Sequence, residues 1–170
     1  MRSNKTKRLC YMAVLTAIAL TIFVIEAQIP ALAPVPGMKL GLANIITVYA
    51  MFRLGPRDTL LILIARIILG NLFAGSVSAM LYSLAGGMMC YLVMLVLRKI
   101  LTENQIWVAS IAGSMAHNVG QVLVAMIMAS NWRMIYYLPI LLAVSIPTGA
   151  FTGICAQMLN KRLRKFSFEG

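Results

Sequence analysis

From Leu9 to Leu159 the sequence is a succession of long apolar runs, each closed by basic residues or by a proline or glycine, with few charges inside them. A bilayer core about 30 Å thick takes about 20 apolar residues of helix at a rise of 1.5 Å each. In hydrocarbon every backbone N–H and C=O must be paired inside the protein, so only helices or closed barrels can cross. Barrel strands would alternate polar and apolar residues in segments of about ten. These runs are continuous and rich in Leu, Ile, Met and Ala, which predicts helices. Composition agrees: of 170 residues 61% are hydrophobic and 11% charged, with a mean hydropathy of +0.89. A soluble domain of this size needs more charge to cover its surface.

Six spans are predicted: Leu9 to Ala27, Met38 to Leu54, Asp58 to Phe73, Gly75 to Leu97, Ile106 to Ala129 and Tyr136 to Leu159. Residues 1–170 thus read as a single transmembrane domain. The first run is too long for the apolar part of a cleaved signal peptide, and Pro34 would follow the Ala31-Leu-Ala33 cleavage mimic directly. It reads as a retained helix. Pro30, Pro34, Pro36 and Gly37 end it. The third span is short and interrupted by Arg66, Gly70 and Asn71, and Gly70 and Gly75 would permit a broken helix end there.

Lys and Arg set orientation, because basic loops stay in the cytoplasm. Alternate ends of the six spans carry Arg2, Lys5, Lys7, Arg8, Arg53, Arg57, Arg98, Lys99, Lys161, Arg162, Arg164 and Lys165. The opposite ends carry Lys39 and Arg133. That bias predicts an all-α, multi-pass membrane protein with both termini inside. It also accounts for the net charge of +11 without nucleic acid, since no basic face interleaved with aromatics occurs and anionic headgroups are the expected partner.

Chemistry is constrained by what is missing. The acids are Glu26, Asp58, Glu103 and Glu169. They are too scattered for the clustered aspartates that hold magnesium on a diphosphate. There is no phosphate-binding GxxxxGK[ST] loop, no HExxH and no Ser-His-Asp set. Cys10, Cys90 and Cys155 are far apart and make neither a zinc site nor a disulfide framework. The chain is expected to be no enzyme, with no metal and no cofactor.

Polar residues inside the spans are the candidate site. A mid-membrane arginine costs about 3 kcal/mol on insertion scales, so Arg66 is a ligand contact, a structural partner of Glu26 or of a helix-end carbonyl, or a side chain snorkelling out of a short helix. Ser110, Ser114, His117 and Gln121 recur along one face of the fifth span, with Asn118 beside them, either as satisfied packing groups or as a cavity lining. Lys39 and Asn44 open the second span near the outer surface. Asn71 lies towards the same side. Lys39 and Arg66 against Glu26 favour an anionic or zwitterionic small molecule. Small residues at four-residue spacing, Ala112, Ala116 and Gly120 in span five and Ser145, Gly149 and Gly153 in span six, predict close internal packing. Ala13 and Ala17 in span one suit either internal packing or an external contact.

Five stretches carry a family resemblance: Pro36-Gly-Met-Lys-Leu-Gly-Leu-Ala-Asn-Ile45, Ala65-Arg-Ile-Ile-Leu69, Tyr82-Ser-Leu-Ala-Gly-Gly87, Ala116-His-Asn-Val-Gly-Gln121 and Tyr137-Leu-Pro139. With these the chain resembles the family described as heptaprenyl diphosphate synthase component I, also called the Gx transporter family. That family is similar to the substrate-binding S components of energy-coupling factor transporters, which are six-helix bundles that bind vitamins or metal ions from outside. The resemblance implies a bacterial plasma-membrane protein that captures a small solute. Its partners would be a transmembrane coupling subunit, docked on Ala13 and Ala17, and two ATPase subunits on other chains. The family's first name implies another role, a non-catalytic membrane accessory of a polyprenyl diphosphate synthase for quinone side chains.

Overall fold

The computed structural model describes residues 2–28, 41–74 and 77–163. Among these residues the chain is all helical, with no strand. Six α-helices follow one another: α1 (Arg2–Ala27), α2 (Asn44–Arg53), α3 (Pro56–Ala74), α4 (Val77–Leu97), α5 (Ile106–Met128) and α6 (Leu138–Leu163). Short 3-10 turns over Glu103–Gln105 and Trp132–Tyr137 introduce α5 and α6. Four stretches are long and apolar enough to cross a membrane: Lys5–Glu26, Val77–Leu97, Glu103–Met128 and Trp132–Leu163. The α2 helix is too short to do so alone, and α3 carries Arg57, Asp58 and Arg66 among its 19 residues.

Turn chemistry explains the boundaries. Between α2 and α3, Gly55 takes φ +100°, a left-handed conformation open to glycine, and Pro56 supplies the first residue of α3, where its missing N–H is no loss. The interruption read at Arg66, Gly70 and Asn71 is absent, since α3 continues through all three to Ala74. Gly70 instead makes room for a neighbour: a Cβ there would lie 2.8 Å from the Phe23 ring of α1. In α6, Pro147 removes one helical N–H, and the hydroxyls of Ser145 and Thr148 donate to the carbonyls of Leu141 and Val144 nearby.

The small-residue seams do the packing expected of them. A Cβ on Gly153 would stand 2.5 Å from the Trp107 Cα, and one on Gly149 2.7 Å from the Ile111 Cα, so α5 and α6 touch backbone to backbone. Gly120 meets the Ala85 carbonyl of α4 at 2.7 Å in the same way. Without a hydrophobic force between helices in lipid, such close approach is what holds them together. The α4–α5–α6 group is accordingly the most closely packed part of the bundle.

At the centre lies α2, in contact with all five other helices. Seven of its ten residues are buried, Asn44, Ile46, Thr47, Val48, Tyr49, Ala50 and Met51, as befits a helix covered on every side. The Tyr11 and Tyr49 hydroxyls hydrogen-bond to each other, tying α1 to α2. Arg8 of α1 donates to Asp58 of α3 at 2.6 Å, and Tyr91 of α4 donates to the Pro56 carbonyl at 3.2 Å. The outside is apolar: Leu72, Phe73, Val77 and Ile127 each expose about three quarters of their surface. Trp132 and Tyr136 are exposed beside them at the α5–α6 connection, the residue types enriched at membrane interfaces. A surface so rich in large apolar side chains is that of a membrane protein. The three cysteines are free.

Candidate functional site

The site is built around the place where α2 begins. Ten residues make a helix about 15 Å long, half of a hydrocarbon core of about 30 Å. Its N-terminus therefore opens inside the bundle rather than at its surface. Gly41, three residues before the helix, lies against His117, the midpoint of α5; a Cβ on Gly41 would come within 3.4 Å of the imidazole Cδ2. Asn44 is buried at this point of the bundle, its amide nitrogen close to Gly41. The local backbone requires glycine at 41, since φ is +79° and a Cβ would also press to 2.9 Å from the Asn44 amide nitrogen.

A helix start leaves backbone N–H groups without partners. Here Glu26, at the end of α1, supplies them: Oε1 accepts from the Gly41 N–H at 2.5 Å and Oε2 from the Ala43 N–H at 3.4 Å. A carboxylate at this position also complements the positive end of the helix. Arg66 of α3 is within electrostatic reach of Glu26, His117 and Cys90, so the buried cation and the buried anion sit in one region. The structural pairing with Glu26 weighed for Arg66 and a role in a site are thus compatible.

His117 is held from two sides. The Gln121 amide nitrogen donates to its Nε2 at 3.0 Å, one helical turn on, which leaves the ring proton on Nδ1. That Nδ1 faces the Gly86 backbone of α4, near its carbonyl but off hydrogen-bond geometry. Only glycine fits at 86, because a Cβ would stand 2.8 Å from the ring.

Asn44, Arg66, His117 and Gln121 expose 5, 3, 4 and 1% of their surface. Five of their buried polar atoms have no hydrogen-bond partner: Asn44 Nδ2 and Oδ1, Arg66 Nε, His117 Nδ1 and Gln121 Oε1. Among the described residues eight such atoms occur in all, so they concentrate here. Each unpaired buried group costs about 1–3 kcal/mol. Five together, about 5–15 kcal/mol, would rival the whole stability of an ordinary domain. This concentration of unpaired buried groups makes the start of α2 the candidate site.

Of the residues singled out from sequence, Asn44, His117 and Gln121 come together around Gly41, with Arg66 within electrostatic reach. Asn118 turns the other way: its amide nitrogen donates to the Ser145 hydroxyl at 2.7 Å and the Leu141 carbonyl at 3.1 Å, clasping α5 to α6. Ser110 does the same through Thr152 at 2.9 Å, and Ser114 faces Gly149. The polar stripe of α5 is thus two edges with different partners. Asn71 is buried but donates to the Ile67 carbonyl of its own helix at 2.6 Å. Lys39 lies outside the described residues. Ala13 and Ala17 are exposed along α1, unlike the small residues of α5 and α6. No group of three or more His, Cys, Asp or Glu that could hold a metal ion occurs among the described residues.

Glu26 and Gly41 complete the cluster, and sequence reasoning had given neither this part. The signal available for Gly41 was its place just before a helix; for Glu26 it was the only acid on the first span.

The sequence model of the family described as heptaprenyl diphosphate synthase component I matches residues 15–159. The chain belongs to this family. The matched region takes in every residue of the cluster and Ala17, while Ala13 lies just before it. No curated protein and no solved structure matches the chain.

Proposed function

We propose that the chain is the membrane-embedded substrate-binding component of an energy-coupling factor type ABC uptake transporter, which captures a small solute from the outer face of a bacterial plasma membrane. The observation that carries this reading is the group of unpartnered polar atoms around the buried start of α2. A helix end inside a bundle, with irregular backbone before it, is a recurrent way of making a solute site at membrane depth.

Six crossings with both ends inside belong to the same reading. The charge of α3 does not oppose its crossing, because Arg66 and Asp58 are buried among other helices rather than turned to lipid. The exposed small side chains of Ala13 and Ala17 support a docking face for a coupling subunit, with two ATPase subunits elsewhere supplying energy. The chain itself performs no covalent chemistry in this scheme.

The test is purification of the tagged chain from its own cells in mild detergent, followed by native mass spectrometry and identification of attached proteins. A bound small molecule and a co-purifying coupling subunit are expected. Protein that carries no small molecule and no such subunit overturns the reading.

The family description favours a second reading, a non-catalytic membrane subunit of heptaprenyl diphosphate synthase. Deleting the gene would then shorten or deplete the quinone side chain without changing uptake of any solute. An unchanged quinone profile rules it out.

A further inference from the structure

We propose that a groove at the junction of α5 and α6 holds an acyl chain of an anionic phospholipid, whose headgroup phosphate pairs with Arg133. The groove has a volume of about 350 Å³ and is lined by Leu123, Met126, Ile127, Ser130 and Trp132. A cavity of that size falls within the range of small-molecule sites, about 300–1,000 Å³. It shares no lining residue with the cluster at the start of α2 and stands whether or not that cluster takes a solute.

The position of the groove in the bilayer follows from the chain itself. Two stretches long and apolar enough to cross a membrane, Glu103–Met128 and Trp132–Leu163, meet here, so residues 129–131 between them lie at a membrane boundary. The exposed Trp132 and Tyr136 are the aromatic types that sit at headgroup level. Leu123 and Ile127, one helical turn apart on α5, expose 45 and 76% of their surface on the same side. Apolar walls open at that level meet acyl chains.

The turn that ends α5 adds a polar group to this lining. The Ser130 N–H donates to the Ile127 carbonyl at 3.3 Å and the Asn131 N–H to the Met126 carbonyl at 3.2 Å, the paired bonds of a Schellman motif. Ser130 thereby takes φ +48°, a left-handed conformation that glycine adopts without strain. With serine in its place, the chain accepts that strain and gains a hydroxyl in a mostly apolar groove.

Charge complementarity selects the headgroup. Arg133 follows Trp132 directly and is exposed, and its backbone N–H donates to the Asn131 side-chain oxygen at 3.1 Å. Among the described residues it makes no ion pair. The described acids are committed elsewhere: Glu26 accepts from the Gly41 and Ala43 N–H groups, Asp58 pairs with Arg8, and Glu103 precedes the opposite end of α5. A phosphate satisfies the guanidinium, whereas the ammonium of a zwitterionic headgroup finds no carboxylate to meet. One arginine at a membrane surface favours an anionic lipid about fivefold.

The chain has two tryptophans, Trp107 near the start of α5 and Trp132 in the groove, so the test can be made local. Trp107→Phe leaves Trp132 as the sole tryptophan. The full chain is reconstituted in phosphatidylcholine vesicles containing a small share of lipid brominated on its acyl chains, either phosphatidylglycerol or phosphatidylcholine, and quenching of Trp132 fluorescence is read. Half-maximal quenching is expected at about one fifth of the mole fraction for the brominated phosphatidylglycerol. Arg133→Gln should bring the two curves together, and so should Leu123→Phe combined with Ile127→Phe, which fills the groove. Equal quenching by the two lipids, or a preference that survives Arg133→Gln, overturns the proposal. So does quenching by neither, the result if a second copy of the chain covers the groove. If Trp107→Phe does not fold, native mass spectrometry of the wild type in detergent decides. One retained phosphatidylglycerol that Arg133→Gln loses supports the proposal, and none, or one that the variant keeps, overturns it.

Discussion

Replacing Asn44 by leucine should make the empty protein more stable while abolishing its ligand binding. Both amide atoms of Asn44 are buried and unpartnered, so the side chain contributes no hydrogen bond that the substitution could remove. Two orphaned groups cost about 2–6 kcal/mol between them. A leucine there is branched differently and presses on a crowded spot, since Gly41 approaches the amide nitrogen closely; such overpacking takes back about 1–3 kcal/mol. The net expectation is a gain of about 1–3 kcal/mol. At about 2–4 °C per kcal/mol for a chain of this size, the midpoint of thermal unfolding should rise by roughly 6 °C. The assay is helical ellipticity against temperature, for the stripped protein and for protein saturated with whatever molecule it releases. The wild type should gain stability on saturation and the variant should not. A fall of 2–5 kcal/mol in the stripped variant, the size of an ordinary core truncation, would refute the reasoning, because it would mean that Asn44 holds the fold together.

Arg66→Met removes the buried cation within electrostatic reach of the Glu26 carboxylate and should destabilise the protein by about 3 kcal/mol, with Arg66→Lys losing less than half of that, as read by thermal unfolding. Gly153→Ala should cost about 3 kcal/mol, since the new Cβ meets the Trp107 backbone at 2.5 Å and the helices must part; the unfolding midpoint checks it. Gly41→Ala forces a left-handed residue at φ +79° and should cost about 1–2 kcal/mol in stability while lowering ligand affinity, measured by titration. Ala13→Leu combined with Ala17→Leu should leave the unfolding midpoint within about 0.5 kcal/mol, as exposed substitutions do, yet abolish co-purification of a coupling subunit.

Several features of this protein could be read one residue at a time. Helix class follows from apolar runs in a solvent that forbids unpaired backbone, and the glycines of α5 and α6 announce close packing because nothing else brings helices together in lipid. Four of the six helices are apolar enough to be recognised as membrane-crossing by themselves. Arg66, His117 and Gln121 stood out for the same reason, as groups that hydrocarbon rejects.

Partners were another matter. The stripe on α5 looked like one surface because spacing along a helix records direction and nothing about what lies opposite. Packing divided it, sending Ser110, Ser114 and Asn118 to α6 and His117, with Gln121 bonded to its ring, to the glycines at 41 and 86. The burial of Asn44 depended on where α2 starts, and the turn leading into that start is held by a carboxylate 15 residues before Gly41 on another helix. Local pattern reports which groups need a partner, because solvation acts on each residue separately. Only the folded bundle chooses the partner, because hydrogen bonds form across distances in sequence that no short window contains.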